Sequence, residues 1–143
     1  MSYTIKHYST HVNIFGFYFE NYYCGIFFNS SKTTITNNNL IKNAYGIYII
    51  PSIRYHKDNL TDTIIMNNTV NNNLWTGIYL YDAYDSSNTI ISRNIGNNNG
   101  EYGISIGASV INNGIVSNNI ANNNNKYYGI GGSVYYGSFH IKK

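Results

Sequence analysis

Charge is scarce in this chain of 143 residues: nine Lys and Arg and six Asp and Glu make 10% of it, against about 25% in an ordinary soluble domain. The formal net charge of +3 is spread along the chain, which excludes the basic face that a nucleic-acid binder presents. Cysteine is limited to Cys24, so no intrachain disulfide can form, and a lone cysteine of this kind reads as a small buried hydrophobe. No apolar run approaches the roughly 20 residues of a membrane span. The opening Met1-Ser2-Tyr3-Thr4-Ile5-Lys6-His7 lacks the charged-then-apolar pattern of a signal leader. Leucine occurs at four positions, Leu40, Leu60, Leu74 and Leu80, too few for a leucine-rich repeat. Apolar residues at three-four spacing over three turns are absent as well, which excludes amphipathic helices.

Asparagine fills the space that charge leaves, with 26 residues, beside 16 Tyr and 13 Gly. A Gly-Ile phrase recurs at Gly25-Ile26, Gly46-Ile47, Gly77-Ile78, Gly103-Ile104 and Gly129-Ile130. An Asn-rich column accompanies it at Asn39, Asn68, Asn94 and Asn119. Two columns with nearly one period are the mark of stacked repeats rather than of low complexity. Within a repeat the period is two. Ile78 and Leu80 share one face and Tyr79 and Tyr81 the other, which reads as strand. Asn, Gly and β-branched residues are poor helix formers, so almost no helix is expected.

Short strands between Asn-rich turns predict an all-β protein: a right-handed parallel β-helix, or β-solenoid, of about five rungs. Rungs in such a rod stack about 4.8 Å apart in register. A repeated Asn then sits above its counterpart and can chain amide to amide. The Gly before each Ile, notably Gly46, Gly77, Gly103 and Gly129, is expected to allow a bend or a close backbone approach. The whole of 1–143 reads as a single domain and as a piece of a longer protein. Its clear repeats cover 21–132, with 1–20 and 133–143 as irregular end rungs or caps. A loop around Pro51 is expected to protrude from one corner.

The text Asn88-Thr89-Ile90-Ile91-Ser92-Arg93-Asn94 and the run from Ile65 to Asn73, followed by Gly77-Ile78-Tyr79-Leu80, resemble the repeat of the NosD-like family. That family belongs to a larger group of carbohydrate-binding and sugar-hydrolysing β-helix proteins. The resemblance spans about 21–132 and implies the right-handed β-helix; it does not imply one activity. The family name is linked to periplasmic copper delivery, but copper wants clustered His, Met or Cys. Here His7, His11, His56 and His140 are scattered and Met66 has no counterpart. No metal site and no cofactor is expected.

Candidate chemistry is thin. Hydrolysis of a glycosidic bond generally needs two carboxyl groups, and Asp82 and Asp85, just after a core strand, are the plausible pair. The plainer reading makes them turn-forming acids. The outward aromatics offer more. Phe27, Tyr48 and Tyr79 fall in one column, with Tyr81 and Trp75 nearby. Flat rings on a rigid sheet suit stacking against sugars, although rings also stack on each other to stabilise a sheet. The expected role is therefore a non-catalytic module at the cell surface or elsewhere outside the cytoplasm, binding polysaccharide or serving structure. The alternatives are a carbohydrate-active enzyme, or a fragment of one, and a plain spacer. Neither nucleic acid nor a membrane span is expected as a partner; end-to-end self-association of rods is.

Overall fold

The computed structural model describes residues 2–7, 10–50, 60–127 and 129–142, without the side chains of 3, 6, 7, 82–85, 108–111 and 133–142. All twelve elements among the described residues are strands, and every strand pairing is parallel. The chain winds as a parallel β-helix with three faces. The long face stacks β1 (Tyr3–His7), β4 (Cys24–Phe28), β7 (Tyr45–Ile49), β9 (Ile78–Asp85), β11 (Ile104–Ser117) and β12 (Ile130–Lys142) in that order. Six strands at rung spacing make a rod of about 24 Å.

The second face stacks β2 (Asn13–Phe15), β5 (Thr34–Thr36), β8 (Ile64–Met66), β10 (Ile90–Ser92) and the far half of β11. The third face starts with β3 (Tyr18–Glu20) on β6 (Asn39–Ile41) and continues through single bridges Asn39–Thr69–Ile95–Ile120. Both ends follow the same pattern. The strand β1 pairs with β4 from Tyr3↔Cys24 to His7↔Phe28, and β12 pairs with β11 from Ile104↔Ile130 to Ser117↔Lys142. The described residues of 1–20 and 133–143, stretches expected to be irregular end rungs or caps, thus include in-register strands.

Three left-handed residues turn each coil. They stand five apart: His11, Gly16 and Asn21; Lys32, Asn37 and Lys42; Asp62, Asn67 and Asn72; Asn88, Arg93 and Asn98; Asn113, Asn118 and Asn123. Nine of these fifteen are Asn, the non-glycine residue that best tolerates this conformation. Because the second and third corners always follow five and ten residues after the first, all variation in coil length falls on the long face.

The bend expected at the Gly-Ile glycines is therefore located elsewhere. None of Gly25, Gly46, Gly77, Gly103 or Gly129 has a positive φ. These glycines lie on the inner wall, where a Cβ on Gly46 would come 2.6 Å from the Gly77 carbonyl oxygen and one on Gly77 the same distance from that of Gly103. Close approach alone explains them. The wall opposite narrows along the rod, from Phe19 and Leu40 through Val70 to Gly96 and Ala121.

The core is a column of fully buried Ile26, Ile47, Ile78 and Ile104, flanked by Ile35, Ile65 and Ile91. Each such side chain contributes roughly 1.5–3 kcal/mol on burial. Two asparagine ladders close two of the corners from inside. In the first, Asn38 Nδ2 donates to Asn68 Oδ1, Asn68 Nδ2 to Asn94 Oδ1 and Asn94 Nδ2 to Asn119 Oδ1, each at 3.0 Å. The first rung of this ladder is Asn38, a correction to the column that began at Asn39. Asn39 pairs in register with Thr69 on the third face, and its Oδ1 has no hydrogen-bond partner. The second ladder, Asn43, Asn73, Asn99 and Asn124, lies one corner on. Both ladders also cap backbone groups: Asn68 Nδ2 donates to the Ile35 carbonyl, and the Asn68 amide N–H to Asn94 Oδ1.

Candidate functional site

The alternation that buries Ile47, Ile49, Ile78 and Leu80 turns Tyr48 and Tyr79 outward. Parallel register then aligns them. Phe27 pairs with Tyr48 and Tyr48 with Tyr79, so their rings meet at rung spacing. Tyr48 and Tyr79 stack at 5.5 Å and 9°, while Phe27 meets Tyr48 edge-on at 5.8 Å. Tyr81 lies against Tyr79 at 5.5 Å and is 44% exposed.

The ridge is larger than the sequence suggests. Tyr45 stacks on Tyr48 at 4.6 Å and on Tyr79 at 5.6 Å. Trp75 meets Tyr45 at 5.0 Å and Tyr23 at 5.7 Å. Tyr23, Phe27, Tyr45, Tyr48, Trp75, Tyr79 and Tyr81 thus form one connected cluster across three coils. The signal for Tyr23 and Tyr45 was present, since they stand two and one residues before a repeat glycine. Their offsets differ, so no single repeat column contains both.

Burial raises the phenol pKa values along the ridge. Tyr48 is pushed up to about 12, by burial first and then by the neighbouring Tyr79 and Tyr23. Tyr45 moves the same way for the same leading reason. Tyr79 is raised by burial and then by Tyr81, Glu101 and Tyr102. All three are neutral hydrogen-bonding groups at neutral pH. At the rim, Glu101 pairs with Lys126 at 3.5 Å. Tyr102 stacks on Tyr127 at 4.8 Å, and the Lys126 Nζ sits 5.1 Å from the Tyr127 ring centre.

Asp82 and Asp85 do not form a turn after the strand. They belong to β9 itself, with Asp85 opposite Val110, and a register shift lies between Ile106 and Ala108. Their side chains lie outside the described residues, as does the loop of residues 51–59 around Pro51. Of the other acids, Glu20 accepts from Lys42 at 2.7 Å and from Tyr18 at 2.7 Å on the third face, and Asp62 occupies a corner.

An all-parallel three-faced solenoid with internal Asn ladders and an outward ring cluster defines the class: a β-helix repeat protein. The chain belongs to the NosD family, whose model, described as "Periplasmic copper-binding protein (NosD)", matches residues 6–140. By that description the family is periplasmic. No curated protein and no solved structure matches the chain.

The donors among the described residues do not fit the copper of that description. Copper selects clustered thiolate, thioether or imidazole. Cys24 is fully buried, its Sγ donates to the Ile26 carbonyl at 3.1 Å, and burial pushes its thiol pKa well up, away from the thiolate a metal needs. Met66 stands in register with Thr36 and Ser92. His11 is exposed beside Thr10; the side chains of His7 and His140, and all of His56, lie outside the described residues. Among the described residues no three His, Cys, Asp or Glu converge.

Proposed function

We propose that this chain is a non-catalytic β-helix module that binds polysaccharide outside the cytoplasm through the aromatic ridge of its long face. The observation that carries the reading is the ridge itself. Five of its seven rings stand on strands of the long face, with Tyr23 and Trp75 just before strands of that face, and they stand beside an ion pair that can hydrogen-bond hydroxyls. Sugar rings present one apolar C–H face, which stacks on such aromatic faces, and an edge of hydroxyls that the phenols and Glu101 can satisfy. Rigid rings lose little entropy on binding. The periplasmic description of the family supports the location, and cell-surface polysaccharide is the matching ligand class.

Affinity electrophoresis through gels containing soluble polysaccharides tests this. The native protein should be retarded by at least one of them. Tyr79→Ala should weaken that retardation about tenfold, or about 1.4 kcal/mol, with an unchanged far-UV circular dichroism spectrum. Equal mobility in every polysaccharide gel and in the plain gel would sink the proposal. Release of reducing ends during the run would favour an enzyme instead.

A further inference from the structure

The chain contains two Asn-Gly steps, Asn99-Gly100 and Asn113-Gly114. In such a step the glycine amide nitrogen can attack the side-chain carbonyl of the asparagine. No Cβ on the glycine blocks the approach, and its backbone turns freely. The fold treats the two steps in opposite ways.

Asn99 belongs to the second inner ladder and is fully buried. Its Nδ2 donates to Asn124 Oδ1 at 3.1 Å, and its Oδ1 accepts from the Asn73 N–H and Nδ2, each at 3.0 Å. The nucleophile is engaged as well, since the Gly100 N–H donates to the Asn73 carbonyl at 3.0 Å.

Asn113 stands at an outer corner, exposed and left-handed. Among the described residues its side chain makes one hydrogen bond, from Nδ2 to Asn88 Oδ1 at 3.4 Å. The backbone is loosely held at the same point. Pairing of β11 with β12 passes from Ile111↔Gly137 to Gly114↔Phe139, so Asn112 and Asn113 together face one residue of β12, as in a bulge. Beneath the corner lies a small apolar cavity whose lining includes Leu80, Thr89, Ile91, Ile106 and Gly114. It leaves the Gly114 peptide room to rotate, which a close-packed interior denies.

We propose that Asn113 is a site of spontaneous deamidation, a reaction that consumes water and needs no enzyme. The Gly114 nitrogen bonds to Asn113 Cγ, the Cγ–Nδ2 bond breaks, and ammonia leaves with the proton that the Gly114 nitrogen gives up. The succinimide ring so formed takes up one water. Opening at the side-chain carbonyl leaves an aspartate. Opening at the main-chain carbonyl leaves an isoaspartate, whose backbone runs through the former side chain. Neither step is a redox step. The change reaches beyond position 113. Asn113 donates to Asn88, and Asn88 Nδ2 donates to Asp62 Oδ1 at 3.0 Å, which makes a third ladder on the outside of this corner. A carboxylate at 113 has no donor for Asn88 Oδ1, and an isoaspartate lengthens the corner by one backbone atom. The site stands independently of the polysaccharide reading.

Peptide mapping of the protein held in mildly alkaline buffer, native and in urea, tests this. The mass gain from amide to acid marks conversion, and protein isoaspartate methyltransferase labels the isomer. In urea the two steps should convert at similar rates. In the native protein position 113 should convert at least about tenfold faster than position 99, a barrier difference of about 1.4 kcal/mol. Gly114 does not have a positive φ, so Gly114→Ala keeps the corner and should slow conversion at 113 about tenfold. Equal conversion of the two positions in the native protein, conversion of neither, or a rate at 113 that Gly114→Ala leaves unchanged would overturn the proposal. If Gly114→Ala fails to fold, the native comparison decides alone.

Discussion

Replacing Asn38 by alanine should destabilise the rod by about 2–4 kcal/mol, while the same change at its neighbour Asn39 should cost under about 0.5 kcal/mol. The two residues have the same side chain and adjacent positions, so composition, helix propensity and unfolded-state effects nearly cancel between them. What differs is the face. Asn38 is 2% exposed. Its Nδ2 donates to the Ile14 and Thr36 carbonyls, each at 3.1 Å, and to Asn68 Oδ1 at 3.0 Å. Its Oδ1 accepts from the Phe17 N–H at 2.9 Å. Alanine would remove the acceptor of the part-buried Phe17 N–H and leave the buried Ile14 carbonyl short of a donor, at about 1–3 kcal/mol per stranded group. The Asn38 N–H keeps its bond to Asn68 Oδ1, which limits the loss. The Asn39 Oδ1 has no partner to lose. Urea unfolding followed by both far-UV circular dichroism and Trp75 fluorescence measures the pair, and coincident transitions would license the two-state comparison. Equal losses at 38 and 39, or a loss at Asn38 below about 1 kcal/mol, would refute the ladder as the corner's stabilising element.

Gly77→Ala should destabilise the protein by about 1–3 kcal/mol or prevent its folding, because the new Cβ would sit 2.6 Å from the Gly103 oxygen and 2.8 Å from Val70 Cγ2; unchanged urea stability would show that the wall can open. Alkali should unfold the rod. Tyr48 has a folded pKa of about 12 against an ordinary 10.0, so between those values the unfolded chain gives up the proton first. The unfolded state then binds fewer protons, and stability falls as pH rises through that window. Absorbance of tyrosinate against pH should show a late-ionising class that vanishes in urea, and one transition near pH 10 in the folded protein would contradict this burial.

How far the sequence could be read depended on whether a feature repeats at a fixed offset. The Gly-Ile phrase does, and its alternation placed Ile78 and Leu80 inside and Tyr79 outside with no further information. The Asn37-Asn38-Asn39 run does not distinguish its members, since three identical side chains sit in a row. Only the register Ile35↔Ile65 decides that the residue three on from Ile35 meets Asn68. The second ladder escaped because its signal is the five-residue step between corners, and that step is a property of backbone conformation. Tyr23 and Trp75 stand two residues before their repeat glycines while Tyr45 stands one before its own, and the coil between Tyr23 and Trp75 has no ring at that offset, so the meeting of all three follows no single repeat column.

The sequence by itself determined that this chain is a parallel β-helix, because side-chain periodicity and tolerance of left-handed turns are local properties written residue by residue. The tertiary structure decided which asparagines bear on one another, that the repeat glycines serve close packing rather than bending, and that scattered rings become one ridge. Those are consequences of register, and register exists only once the coils are stacked.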